Sequence, residues 1–227
     1  MARIFILTIL LFPLNVFSQV LEHPNYSLSS HPTLNLDKIE FTDSRTLLYF
    51  TITNEKLGGS FCIDSTSYLK NSLGDEVYLM TGIGNIPACP ESYRFRSIGE
   101  SLTFVLYFPE INRNLSYIDF IEPCQDACIS MRYISLDANM NDAINKGFSL
   151  YNSGKYRLAL QHFEDILVKE SDNYSPVFGS IYLYLMTISY DLGDSGDVKR
   201  FCDDLKSSSI INKDDIIEVA RNEGIIK

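Results

Sequence analysis

Hydrophobic and polar positions alternate along two stretches in the first two-thirds of the chain, residues 48–52 and 102–108. Successive side chains of a strand point to opposite faces, so this period of two predicts half-buried β-strands. Other runs rich in β-branched and aromatic residues are separated by glycine or proline and predict further strands at 36–42, 60–70, 76–83, 115–121 and 127–136. About seven short strands with turn signals between them predict an antiparallel, immunoglobulin-like β-sandwich over residues 36–138.

The pattern changes to a helical period after Asp137. Residues 140–169 (MNDAINKGFSLYNSGKYRLALQHFEDILVK) resemble one tetratricopeptide repeat, a pair of antiparallel helices. Small residues let the two helices approach closely, and aromatic residues fill the space beside them. The usual proline after the second helix is absent. The matching positions are Gly147, Gly154, Tyr156, Ala159 and Phe163.

Two weaker helical segments, 176–192 and 197–207, follow as a second copy, and a third at 213–222 would cap the stack. Residues 139–227 are therefore predicted to be a tetratricopeptide-like helical domain. Repeats of this kind need about three units for stability. With fewer than two, we expect this domain to lean on its cap or on the sandwich.

The first eighteen residues have the three parts of a cleavable secretory signal. Arg3 is followed by an apolar run over 4–12, which Pro13 ends, and the pattern predicts cleavage between Ser18 and Gln19. The apolar run is too short to span a membrane, which takes about 20 residues. A lipid anchor would need a cysteine at the cut. We therefore expect an exported protein, periplasmic or secreted and soluble, without a membrane span after cleavage.

Residues 19–35 contain two His-Pro pairs and show no periodicity, which predicts an extended linker. Beyond it lie four stretches with a shared likeness, 38–52, 67–79, 97–109 and 117–122. Together they resemble an N-terminal domain found in secreted proteins of Gram-negative bacteria. That resemblance implies an envelope location. It implies no site residues, because the matching positions are those that build the fold.

The formal net charge is −10 and the mean hydropathy is −0.01. Phosphate binding needs a basic surface, and the sequence shows no cluster of lysine and arginine. Nucleic acid and anionic membrane surfaces are therefore not expected partners. The acidity mainly favours solubility.

Five cysteines in an exported chain favour disulfide bonds. We predict a Cys124–Cys128 bridge across a turn and a Cys62–Cys89 bridge, leaving Cys202 unpaired on a helix. The alternative is that all five are small buried hydrophobic residues. A metal site at Cys124 and Cys128 would lack a second pair of ligands.

The predicted sandwich contains no histidine, which argues against a Ser-His-Asp or Cys-His arrangement inside it. The sequence predicts no catalytic residue, no cofactor and no metal site. The leading interpretation is a non-enzymatic module that binds a protein partner in the envelope through its helical hairpins. Candidate contact residues are Asn145, Tyr151 and Tyr184.

Two alternatives remain open at this point. The helices could pack on the sandwich and bind nothing. A carbohydrate-binding or polysaccharide-uptake accessory protein could instead bind a glycan through the loops at 83–96 and 109–114, where Tyr93 and Phe95 offer aromatic rings. The absence of tryptophan counts against that alternative.

Overall fold

The computed structural model describes residues 19–124, 128–169 and 175–227, and the predicted signal at 1–18 lies outside them. The described chain has a β-rich N-terminal part followed by helices, as the sequence predicts. In chain order the strands are β1 (Gln19–Glu22), β2 (Leu28–Ser29), β3 (Leu34–Phe41), β4 (Arg45–Thr53), β5 (Ser60–Phe61), β6 (Tyr68–Asn71), β7 (Val77–Leu79), β8 (Gly82–Gly84), β9 (Tyr93–Arg94), β10 (Ser101–Pro109), β11 (Tyr117–Ile121) and β12 (Ser130–Ser135).

The strands form two five-stranded antiparallel sheets and one two-stranded sheet. The first sheet has the order β1-β3-β4-β10-β8, and the second has the order β2-β12-β11-β6-β7. β5 pairs with β9 in the third. The alternating strands β4 and β10 pair over their whole lengths, because both bury the same face.

The inner faces of the two large sheets share one apolar core. Phe50 of the first sheet stacks on Phe104 at 5.3 Å between ring centroids and meets Phe120 of the second sheet at 5.6 Å. Two disulfides lie within this part of the chain, Cys62–Cys89 and Cys124–Cys128, and the remaining cysteine, Cys202, is free and buried. Both cysteine pairs that the sequence favours are therefore bridged.

The helices are α1 (Ala138–Asn152), α2 (Tyr156–Lys169), α3 (Pro176–Asp191), α4 (Ser195–Ser207) and α5 (Lys213–Asn222). Asp137 caps α1 by accepting hydrogen bonds from the Asn139 and Met140 amides. Gly154 supplies the left-handed conformation (φ +71°) of the turn between α1 and α2. The helices pack around their own apolar core, separate from that of the sheets.

The boundaries differ from the sequence prediction in three places. The strand expected over 60–70 divides into β5 of the two-stranded sheet and β6 of the second sheet, because the chain turns between them, where the Ser67 amide donates to the Asp64 carbonyl at 3.1 Å. The expected linker, 19–35, contributes β1 to the first sheet, β2 to the second and the start of β3. The strand expected over 76–83 divides into β7 and β8, because the chain crosses there from one sheet to the other. The Met80 amide still bonds to Ser67 of the second sheet, and the Thr81 amide already bonds to Tyr107 of the first.

Candidate functional site

The segment 23–29 runs between the sheets and the helices and bonds to both. On the sheet side, the Ser27 amide donates to the Arg132 carbonyl at 3.0 Å, and the Asn25 carbonyl accepts from the Ser135 amide at 2.7 Å. On the helix side, the Asn25 amide donates to Asn141 Oδ1 at 3.0 Å. This segment is therefore the layer through which the two halves of the chain meet.

Buried polar side chains dominate that layer. Asn25 Nδ2 donates to the Asn141 carbonyl and to Asn145 Oδ1, both at 3.2 Å. Ser27 Oγ donates to the Pro176 carbonyl at 3.0 Å and accepts from Ser180 Oγ at 3.0 Å. Asn25, Ser27 and Asn141 are each at least nine-tenths buried. We call this set, completed by the Asn212 amide that donates to Ser27 Oγ, the junction seam.

An open cavity of about 470 Å³ lies beside the seam, and we call it the junction cleft. α1 and α3 form one wall, and β3, β4 and the segment 23–26 form the other. Its apolar lining includes Leu36, Ile144, Phe148, Val177 and Ile181, and its polar lining includes Asn35, Asp37, Thr51, Asn145 and Ser180. This mixture of apolar walls and a few convergent polar groups is typical of a binding site.

Two tyrosines, Tyr26 and Tyr184, line this cleft. Burial, and after it the nearby Tyr184 phenol, raises the pKa of Tyr26. Burial, and after it the Glu223 carboxylate, raises the pKa of Tyr184. Among the described residues neither hydroxyl has a hydrogen-bond partner. The Tyr184 ring packs edge-on against Phe148, with 4.5 Å between the ring centroids.

The structure brings together two of the three predicted contact residues. Asn145 and Tyr184 line the junction cleft. Tyr151 does not: its hydroxyl donates to Asp191 Oδ2 at 3.0 Å, and its ring lies 5.3 Å from that of Tyr156, near the turns between helices. Asn145 is also less free than a surface residue, because its amide group bonds to His23 and Asn25.

The aromatic residues suggested for glycan binding are occupied elsewhere. Phe95 is only 8% exposed and belongs to the core of the sheets. Tyr93 packs edge-on against it at 5.3 Å and donates its hydroxyl to Glu100 at 2.7 Å. Phe95 is therefore closed to a ligand, whereas the Tyr93 ring stays partly exposed.

His31, which the sequence assigns to the linker before the sandwich, lies against a residue of the sheets. His31 lies edge-on to Phe61 at 6.5 Å, and burial lowers its pKa. The count of histidines therefore does not by itself argue against catalysis. Among the described residues, no group of three or more His, Cys, Asp or Glu side chains could hold a metal ion.

Sequence reasoning missed Asn25, Tyr26 and Asp37, all of which line the cleft. One signal was present in the segment 25–28, where polar and apolar residues alternate as in a strand.

In the described chain, no helix is long and apolar enough to cross a membrane. Comparison with known proteins adds no relative, since no family model, curated protein or solved structure matches the chain.

Proposed function

We propose that this chain is an exported, non-enzymatic binding protein of the cell envelope, and that its junction cleft receives an extended polypeptide segment of a partner protein. One observation carries the proposal: α1 already holds an extended segment of this chain by its main-chain atoms. Asn145 Nδ2 donates to the His23 carbonyl at 3.0 Å, and Asn141 Oδ1 accepts from the Asn25 amide at 3.0 Å. Every polypeptide offers such main-chain groups. Because the two asparagines are already engaged by this chain, a second segment would lie beside it in the cleft and bond to the other polar groups there, such as Tyr26 and Tyr184.

The chemistry of the cleft agrees with a polypeptide ligand. Phe148 offers apolar surface for side chains, while the Tyr26 and Tyr184 hydroxyls can bond to main-chain carbonyls or amides. A cavity of about 470 Å³ is large enough for a few side chains. A few fixed polar groups within an apolar lining give orientation as well as affinity.

We also propose that the helices are tetratricopeptide-like and the sheets immunoglobulin-like. The support for the first is the contact between α1 and α2. A Cβ atom added at Gly147 would lie 2.4 Å from the Phe163 ring, and Ala159 of α2 is fully buried. The support for the second is the pair of antiparallel sheets that share one core.

Export and the envelope location are part of the same proposal. Two disulfides support an oxidising compartment, where such bonds form and persist. The predicted signal at 1–18 supports the same location. The net charge of −10 favours a protein partner over nucleic acid or an anionic lipid surface.

Selection of a randomised short-peptide library against the full chain, with both disulfides formed, tests this function. Bound peptides are then measured against two tryptophan variants. Asn35→Trp places an indole at the cleft, and Ser44→Trp, in the turn between β3 and β4, is its control at the other end of the hairpin. We expect Asn35→Trp to weaken binding about tenfold or more, which is ~1.4 kcal/mol. Ser44→Trp should bind like the unmodified chain.

Two results would contradict the proposal. The first is a selection that yields no binding peptide, and the second is a set of peptides equally insensitive to both variants. A glycan array separates the carbohydrate alternative. Glycan binding that Asn35→Trp abolishes, in a chain that binds no peptide, would replace a polypeptide ligand with a sugar.

A further inference from the structure

The junction cleft continues onto the outer face of the first sheet. There a second cavity of about 280 Å³, which we call the sheet groove, is lined by residues of β1, β3, β4 and β10. His23 and Asp37 line both cavities. A segment that extends from the cleft into the groove must therefore pass these two residues.

Both residues have irregular backbone geometry. Leu36 pairs with Phe50 and Lys38 pairs with Tyr49, so Asp37 is the extra residue of a β-bulge in β3. His23 has φ +46°, in the left-handed region that non-glycine residues seldom adopt, and its amide donates to the Asp37 carbonyl at 2.7 Å. Bulges redirect side chains, and strained backbone is retained where the surrounding structure enforces it, often at binding sites.

The Asp37 carboxylate is only partly engaged. Its Oδ2 accepts a hydrogen bond from Thr51 Oγ1 at 2.6 Å. Among the described residues, no cationic group lies within ion-pair distance of Asp37. The adjacent Lys38 is turned to other groups, since its Nζ lies 3.7 Å from Glu40 and 4.1 Å from the centre of the Tyr49 ring. The Asp37 carboxylate therefore has a hydrogen bond but no cationic partner among the described residues at the point where the two cavities meet.

The sheet groove adds a second carboxylate. Glu22 and Asp37 line it together with the single cation Lys38, which Glu40 already pairs. A ligand that lies across both cavities therefore meets net negative charge in the middle of its path. A carboxylate at this position favours a positively charged group on the ligand.

We infer that the partner's segment carries a lysine or arginine whose cationic head pairs with Asp37 where the junction cleft meets the sheet groove. This inference rests on the proposed binding of an extended segment. The aliphatic stem of such a side chain packs on apolar surface while its head reaches the carboxylate. Phe148 in the cleft and Tyr49 in the groove supply that surface.

The peptide selection provides the test when it is repeated with Asp37→Asn and with Asp75→Asn. Asparagine keeps the shape and an oxygen for the Thr51 bond but removes the charge. Asp75→Asn is the matched control, the same change at an exposed carboxylate between β6 and β7 that lines neither cavity. We expect lysine and arginine to be enriched among peptides selected by the unmodified chain and by Asp75→Asn, and the enrichment to disappear with Asp37→Asn.

Synthetic binders supply a second measurement that does not depend on a variant's folding. Replacing their basic residue by norleucine should weaken binding to the unmodified chain about tenfold, ~1.4 kcal/mol. Added salt should remove most of that difference, because it screens partly exposed charges.

The outcomes separate the two proposals. Peptides that bind in the cleft without enrichment of basic residues, or that tolerate norleucine, overturn this inference and leave the proposed function standing. No peptide binding at all overturns both. Binding of spermidine to the Asp37 carboxylate, without any basic peptide, would assign the site to a free polyamine and overturn the inference.

Discussion

Replacing Gly147 with alanine tests the packing of α1 against α2. The new Cβ atom would lie 2.4 Å from both Cε1 and Cζ of Phe163, whereas ordinary contacts begin at 3.4 Å, so the ring or the helix must move by about 1 Å. Phe163 is fully buried and has Phe148 at 5.6 Å and Tyr184 at 6.1 Å between ring centroids. The ring is therefore enclosed and has little room to shift.

The expected change in the free energy of unfolding follows from two opposed effects. Overpacking a filled core costs about 1–3 kcal/mol, and an enclosed ring belongs at the upper end of that range. Alanine in a helix is favoured over glycine by about 1 kcal/mol. We therefore expect Gly147→Ala to lower the free energy of unfolding by about 2 kcal/mol.

Urea unfolding followed by circular dichroism at helical wavelengths is the suitable assay, because the chain contains no tryptophan. Lys146→Ala, an exposed change on the same helix, should stay within about 0.5 kcal/mol. Phe163→Leu removes the ring atoms that Gly147→Ala contacts, so the double variant should lose less than the sum of the two single variants, by about 1 kcal/mol. A Gly147→Ala variant that gains stability would refute this account of the contact.

Two further predictions concern the disulfide and the cleft tyrosines. Replacing Cys62 and Cys89 together by alanine frees a loop with a sequence separation of 27, so the free energy of unfolding should fall by about 3–4 kcal/mol. The measurement is urea unfolding without reductant, and an unchanged unfolding midpoint would contradict this prediction. The folded-state pKa of Tyr184 is raised, so its contribution to stability is present below pH 10.0 and is lost as the pH rises through that raised pKa. Tyr184→Phe should therefore reduce the loss of stability above pH 10.0, whereas the exposed Tyr190→Phe should leave it unchanged; equal alkaline loss in both variants would contradict the burial of the Tyr184 phenol.

Local periodicity was sufficient to predict two kinds of element. The first are strands that bury one face, and the second are helices that pack against their neighbour in the sequence. β4 alternates strictly and buries one face in the core, and β10 follows the same period except at Val105, which is also buried. The pair α1 and α2 follows from small and aromatic residues at helical spacing, with Gly154 at the turn. These features depend on the segment itself, so the sequence carries them directly.

The junction could not be predicted in the same way. Asn25 and Ser27 are polar yet more than nine-tenths buried, because their partners, Asn141 on α1 and Ser180 on α3, lie more than a hundred residues further along the chain. Burial of such residues depends on tertiary partners, and the short alternation at 25–28 does not indicate that its polar residues are buried or which residues they contact. The bulge at Asp37 depends on pairing with β4, which the residues of β3 alone do not specify.

The junction seam also explains why the cleft can keep a defined shape. A buried polar network stabilises only the arrangement in which each group finds its partner, since an unpaired buried group costs about 1–3 kcal/mol. Sliding the helices against the sheets would break the bonds from Asn25 to α1 and from Ser27 to α3 together. Apolar packing alone would tolerate such movement better, because it is not directional. The cleft takes its two walls from the halves that the seam joins, so the same bonds that fix the junction also fix the placement of β3 with Asp37 relative to the helices with Asn145 and Tyr184.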